Sequence, residues 1–273
     1  MPLQQSLIIA VYNKSFVLRC LFTALARQTI QNFEVIIADD GSGKETADIV
    51  NEAKRTMPFR IKHLWHADKG WRKNVMLNDA IRESATEYLV FIDGDCLPGK
   101  DFLHDHYSHR ERGKVLLGRR VEHGKRWAQS LTVDRVYSGE FERYTLADIF
   151  DALRGKSVRL EHGIRIANPY VRKFVEKSDA MLGCNFSTFK EHLVAVNGFD
   201  EDYNGPGLGE DSDIFYRLGN LGVSGKSLRN LAIQYHVWHP LTGVSDANRI
   251  RFEHTILQKS IRCRNGLQKL SRI

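Results

Sequence analysis

The sequence predicts an α/β domain with a mostly parallel central sheet flanked by helices, on three observations. Short apolar runs between Leu7 and Ile92 alternate with segments of helical period. The runs are apolar on both faces, as in strands covered on both sides. Three of them end in polar or acidic groups, where ligands of such sheets bind.

The first strand is Leu7 to Val11, ending in Tyr12-Asn13, and Val17, Leu18, Leu21, Phe22 and Leu25 follow at helical spacing. Phe33 to Ala38 is the second strand, closed by Asp39-Asp40-Gly41-Ser42. Ser42 with Glu45 matches a capping box and predicts a helix start there. Ile61 to His66 is a weaker third strand, and Trp71 to Ser84 is helical through Val75, Met76, Ala80 and Ile81. Tyr88 to Ile92 is the fourth strand and runs into Asp93-Gly94-Asp95.

The second half differs. Residues 121–177 are charged, lack clear strands and carry one amphipathic helix through Leu146, Ile149, Phe150 and Leu153. Met181 to Phe189 restarts an apolar pattern, and Glu191 to Val196 is helical. The glycine-rich loop Asn204 to Gly209 leads into Glu210-Asp211-Ser212-Asp213 and a further helix. A last strand, Leu231 to Tyr235, precedes His236-Val237-Trp238-His239. From Arg249 a basic helix carries Phe252, Ile256, Cys263, Leu267 and Leu270 on a loose apolar stripe. The organisation is one domain, 1–273: a first half at 1–120, a helical insertion at 121–177, a second half at 178–248 and the basic helix at 249–273.

Composition bounds the partners. Hydrophobic residues at 42% can fill a core, and 27% charged residues suit a soluble surface. With 40 Lys+Arg against 33 Asp+Glu, the net charge of +7 suits an anionic partner. Cys20, Cys96, Cys184 and Cys263 are scattered and form no metal-binding pair, which points to a reduced, cytoplasmic protein. Residues 1–6 show no leader pattern, and no apolar run approaches the roughly 18 residues of a membrane span. Nucleic acid is excluded as a partner: the basic residues are dispersed and no aromatic–basic platform is evident.

The acids carry the chemistry. Asp93-Gly94-Asp95 sets two carboxylates around a residue that bends freely, and hard cations such as Mg²⁺ or Mn²⁺ take carboxylates together with substrate phosphates. A bare turn is the competing reading, outweighed by the position after a buried strand. Asp39-Asp40 reads both as a turn and as an acceptor for a nucleobase imide or ribose. Glu210-Asp211 exceeds what one helix cap requires, and crowded carboxylates raise one another's pKa, as a general base needs. His236 and His239 make one imidazole ligand reasonable, favouring Mn²⁺ over Mg²⁺.

Together these residues resemble the inverting glycosyltransferase family 2, with its GT-A fold. The resemblance rests on Ile8 to Lys14, Gln28-Thr29, Phe33 to Ser42 and Tyr88 to Pro98. A galactosyltransferase-type half, similar to chondroitin-polymerase-like enzymes, follows in Gly183 to Phe186, Val196 to Glu201 and Gly207 to Asp213. The resemblance implies Asp40 on the uracil of a UDP-sugar, with Val11, Tyr12 and Asn13 lining the base pocket. It places Lys69 or Arg72, ahead of Asn74, near the nucleotide, and adds Gly94 and Asn185 to the donor site. It also implies Asp93 on ribose or metal, Asp95 as metal ligand with His236 (or else His239), Asp211 as general base and Glu210 on a sugar. Leu208 departs from the Trp or Gly usual in that loop.

The implied function is metal-dependent, inverting transfer of a hexose or N-acetylhexosamine from a UDP-sugar to a saccharide or glycolipid acceptor. Polysaccharide or lipopolysaccharide assembly is the family-level setting. The alternatives are a nucleotidyltransferase and a noncatalytic nucleotide-sugar-binding protein. Cations of residues 249–273 suggest peripheral contact with the inner face of the cell membrane; a solvated helix face is the competing reading.

Overall fold

The computed structural model describes residues 2–176, 180–207, 209–240, 243 and 245–270. Its strands are β1 (Gln5–Val11), β2 (Phe33–Asp39), β3 (Arg60–Trp65), β4 (Tyr88–Asp93), β5 (Cys96–Pro98), β6 (Lys114–Leu117), β7 (Arg120–Glu122), β8 (Phe186–Phe189), β9 (Ser224–Ser227) and β10 (Gln234–His236). Its helices are α1 (Ser15–Ala26), α2 (Lys44–Thr56), α3 (Lys73–Glu83), α4 (Phe102–Ser108), α5 (Lys125–Gln129), α6 (Val133–Ser138), α7 (Leu146–Leu153), α8 (Pro169–Val175), α9 (Lys190–Ala195), α10 (Glu210–Asn220) and α11 (Asp246–Leu257).

The main sheet runs β3-β2-β1-β4-β8-β6-β9, parallel from β3 to β4, with β8 antiparallel to both neighbours. Period-two alternation divides β1 between two cores. Leu7, Ile9 and Val11 pack with Leu18 and Leu21 of α1 and Ile49 and Val50 of α2. Ile8 on the opposite face packs with Met76, Leu77 and Ile81 of α3 and with Leu193, Ile214 and Leu218. Each such buried side chain stabilises the fold by roughly 1.5–3 kcal/mol. The register pairs Val11 with Asp39 and Ala10 with Asp93, so the acidic strand ends lie side by side.

A second sheet, β5-β10-β7, sits beyond β4. Cys96, immediately after Asp95, pairs with His236, and the Val237 amide donates to the Asp95 carbonyl at 2.9 Å. This ladder brings residues 140 positions apart in sequence to the same sheet edge.

Several expectations are corrected. Ser42 is not the cap of α2, which starts from Gly43 without a side-chain cap. Its hydroxyl instead accepts from the Asn13 amide, tying the ends of β1 and β2 together. The last strand is Gln234–His236 rather than one starting at Leu231, because Asn230 and Ala232 hold positive φ and bend the chain. Among the described residues the insertion contains the expected amphipathic helix as α7 and three further short α-helices, and its first residues extend β7; its boundary at 177 lies outside the described residues. The basic helix ends at Leu257. Beyond it the tail folds back on the domain, with the Leu267 amide donating to the Asn197 carbonyl and Cys263 buried beneath. The expected stripe from Phe252 to Leu270 is therefore not one helix face; residues 271–273 lie outside the described residues. Among the described residues no helix is long and apolar enough to cross a membrane.

Candidate active site

Asp95 is the centre of the polar cluster at this edge. Its Oδ1 lies 3.8 Å from His236 Nε2, and its Oδ2 lies 3.3 Å from His239 Nε2 and 4.0 Å from Lys14 Nζ. One ligand atom from each of Asp95, His236 and His239 lies within 4.8 Å of the others. Burial opposes the charge on Asp95, but the His239 hydrogen bond and the nearby His236 and Lys14 hold its carboxyl well below the usual range. Burial pushes His236 down and favours the neutral imidazole that binds metal, whereas the hydrogen bond to Asp95 raises His239. One carboxylate and two imidazoles form a borderline donor set that fits Mn²⁺ better than Mg²⁺. Both histidines, not one, reach Asp95.

Asp93 stands apart from this trio. Its Oδ1 is 2.9 Å from Lys73 Nζ, which also donates to Glu210 Oε1 at 3.2 Å. Asp93, expected on ribose or metal, thus faces Lys73 rather than the Asp95 trio in this arrangement. Burial would discharge Lys73, but Asp93 and Glu210 outweigh it and raise its pKa well above that of an ordinary lysine. Lys73 thus joins the end of β4 to the start of α10. Gly94 packs closely between the two acids: a Cβ there would lie 3.0 Å from the Ala10 carbonyl oxygen, to which the Gly94 amide donates.

Glu210 and Asp211 open α10, where the helix dipole favours carboxylates. Gly209 precedes them at φ +135°, and a Cβ on it would strike the Tyr203 ring. Burial, with Asp211 and Asp93 nearby, raises the Glu210 pKa, and its Oε2 is buried without a hydrogen-bond partner. Asp211 Oδ2 accepts from the Gly183 amide at 3.1 Å and Oδ1 from the Ser212 amide at 2.7 Å. These bonds fix its carboxylate while leaving lone pairs for an incoming hydroxyl. Asp213, by contrast, is buried against Arg217 at 2.7 Å and is structural. Leu208 lies outside the described residues.

The nucleotide-side residues divide. Asp40 Oδ1 lies 2.7 Å from His66 Nε2, and Oδ2 accepts from the Arg72 amide at 2.8 Å. Tyr12 is half exposed, its hydroxyl donating to Asp68 at 3.0 Å. Lys69 is exposed, and the Arg72 guanidinium donates to the Ala67 carbonyl. Four of the residues also make scaffold contacts. The Val11 side chain is in the core, and its carbonyl accepts from the Asp40 amide. Asn13 accepts from the Gly43 amide at 2.9 Å. Asn74 is buried and donates to the Asp200 carbonyl at 2.7 Å. Asn185 is fully buried, donating to the Arg119 and Ala232 carbonyls and contacting His106; its amide is consumed by the fold.

The sequence reading missed Lys73 and His66. Lys73 lies between Arg72 and Asn74 in the sequence. A long cationic side chain at the first position of a helix whose next turn is buried was the available signal.

The fold is the one shared by solved GT-A glycosyltransferases. It superposes on S. aureus TarS in complex with UDP with a TM-score of 0.63 at 17% identity, covering 94% of this chain and 65% of that one. It also superposes on the mannosyltransferase PcManGT from Pyrobaculum calidifontis, in complex with GDP-Man and Mn²⁺, with a TM-score of 0.58 at 17% identity, covering 95% and 63%. In sequence it is 28% identical to a validoxylamine A glucosyltransferase of Streptomyces hygroscopicus subsp. jinggangensis over 80% of this chain and 52% of that protein. It is 27% identical to a chondroitin synthase of Escherichia coli over 85% of this chain and 34% of that protein. The chain thus spans about half the length of the first relative and a third of the second. The family model described as the N-terminal domain of galactosyltransferase matches residues 166–240. The model of glycosyl transferase family 2 matches residues 6–167, more than half of the sequence, and the chain belongs to that family.

Proposed function

We propose that this chain is a metal-dependent inverting glycosyltransferase acting from a UDP-linked hexose or N-acetylhexosamine on a hydroxyl of a saccharide or glycolipid, in polysaccharide or lipopolysaccharide assembly. The observation that carries the reading is the grouping of Asp95 with His236 and His239 at the strand end from which Lys73, paired with Asp93, reaches Glu210 next to Asp211. Family membership leaves the nucleotidyltransferase alternative without support. The UDP and UDP-GlcNAc complexes of TarS and the chondroitin synthase relatives support the donor and acceptor classes.

Asp95, His236 and His239 would hold a divalent ion, which supplies positive charge against the departing diphosphate. Tyr12 and Asp40 form the rim for the base. Asp211, immobilised by two backbone amides, accepts the proton of the acceptor hydroxyl as its oxygen bonds to the anomeric carbon. The bond from that carbon to the diphosphate oxygen breaks with its electron pair on UDP. A single displacement inverts the anomeric configuration. The Lys73 bridge keeps Glu210 and Asp93 at a fixed span, so base and donor cannot drift apart.

The test is a panel of UDP-sugars, with GDP-mannose as a further arm, given Mn²⁺ and saccharide acceptors to wild type and Asp211→Asn. Transfer with inverted product by NMR, lost in the variant while UDP still binds, is expected. Retained configuration, or transfer undiminished in Asp211→Asn, overturns the mechanism; nucleotide binding without transfer by wild type favours the noncatalytic alternative.

A further inference from the structure

α7 is built inside out. Leu146, Ile149, Phe150 and Leu153 follow the spacing of a stripe that a globular helix turns to the core. They are 77%, 48%, 59% and 78% exposed. The acids of the same helix, Asp148 and Asp151, are buried instead, and Arg126 donates to each at 2.7 Å. Thr145 and Asp148 close a reciprocal capping box that fixes the helix start. The orientation is therefore held by a set of polar contacts underneath.

The outer face of α7 carries no carboxylate. Arg143 precedes it, and Arg154 and Lys156 follow it. All three are exposed and, among the described residues, engage in no ion pair. An apolar stripe framed by unpaired cations has the chemistry of an interfacial helix: apolar side chains enter the acyl boundary and cations meet headgroup phosphates. We infer that α7 seats this domain on an anionic lipid surface. Charge selects this occupant over a second copy, since a twofold contact through the same face would bring Arg143, Arg154 and Lys156 against their own counterparts. The lipid contact belongs to the insertion and not to residues 249–273, whose tail folds back on the domain.

The test is co-sedimentation of the full chain with phosphatidylcholine vesicles, with and without phosphatidylserine, at low and high salt. Wild type is expected on the anionic vesicles only. Phe150→Ser with Leu153→Ser should reduce partitioning roughly tenfold or more. Arg154→Gln with Lys156→Gln should reduce it by roughly fivefold per cation and flatten the salt dependence. Both pairs alter exposed side chains, so unchanged thermal melts verify folding. Absence of wild-type binding, or equal binding by the apolar variant, overturns the inference. Concentration-dependent self-association in light scattering that the apolar variant abolishes also overturns it, assigning the face to a second copy.

Discussion

In β1, β2 and β4 the apolar side chains are covered on both faces, and the acids gather at the strand ends. In the insertion, α7 does the reverse, showing its apolar stripe to the outside and folding its acids inward. The same kind of pattern thus has two outcomes. Where helices cover the sheet, hydrophobicity becomes core. Where the half-exposed Arg126 claims the acids first, hydrophobicity becomes surface. The sheet half is therefore where chemistry should be sensitive, and the insertion where changes should leave chemistry alone.

The largest effect is expected at Asp95. Asp95→Ala removes the only carboxylate of the trio, and transfer should fall by roughly 10⁴-fold, several kcal/mol of transition-state stabilisation. Folding should persist, because the partly exposed carboxylate makes no backbone bond through its side chain. Mn²⁺ should raise the melting temperature of wild type and not of the variant. An equal metal-induced shift in both proteins would remove Asp95 from the ligand set. Asp211→Asn should come next, lowering kcat by roughly 10²–10³-fold with donor binding retained, as for loss of a general base. A rise in KM at unchanged kcat would make Asp211 a binding group instead.

Much of the sheet half was legible. β1, β2 and β4 are continuous apolar runs, and their ends predicted where the acids would meet. β9 was not, because Ser224-Gly225-Lys226-Ser227 has no apolar residue and becomes a strand only by pairing with β6. Lys73 was hidden for a related reason: its partners are 20 and 137 residues away, and only the folded sheet brings them together. Asn13, Asn74 and Asn185 were read as ligand-facing because polar residues in a motif look functional. Side-chain amides, the exposed Asn13 as well as the buried Asn74 and Asn185, equally satisfy backbone groups, and sequence alone cannot separate the two uses. The stripe of α7 was visible as periodicity, but periodicity does not say which face is covered.

A stability test sharpens the comparison within the sheet half. His106 of α4 is fully buried between Ser187 Oγ at 2.7 Å and Asn185 Oδ1 at 3.0 Å. Burial pushes its pKa down from 6.5 to about 4. Below pH 6.5 the unfolded chain binds a proton that the native chain refuses, so the contribution of this group is complete above pH 6.5 and declines as pH falls toward 4. The full loss is about 3 kcal/mol. Urea unfolding at neutral and at acidic pH should show this loss in wild type, and His106→Gln should remove most of that part of the pH dependence. If the variant loses stability on acidification as steeply as wild type, another group is responsible.

The smallest effect belongs to the insertion. Arg126→Ala leaves Asp148 and Asp151 without the cation that turns them inward. Because Arg126 is half exposed, solvent screens the pair, and the expected cost is about 1 kcal/mol. Its location matters more than its size. Local opening of α7 needs no disruption of the sheet core, so hydrogen exchange should accelerate at residues 146–153 while the amides of β1 and β4 keep their protection. Transfer to a water-soluble acceptor should stay within about twofold of wild type, an insensitivity expected of a surface change remote from the reacting groups. Acceleration spreading into β1 and β4 would mean that the insertion and the sheet open together, and the contrast between a covered half and an inverted one would lose its energetic meaning.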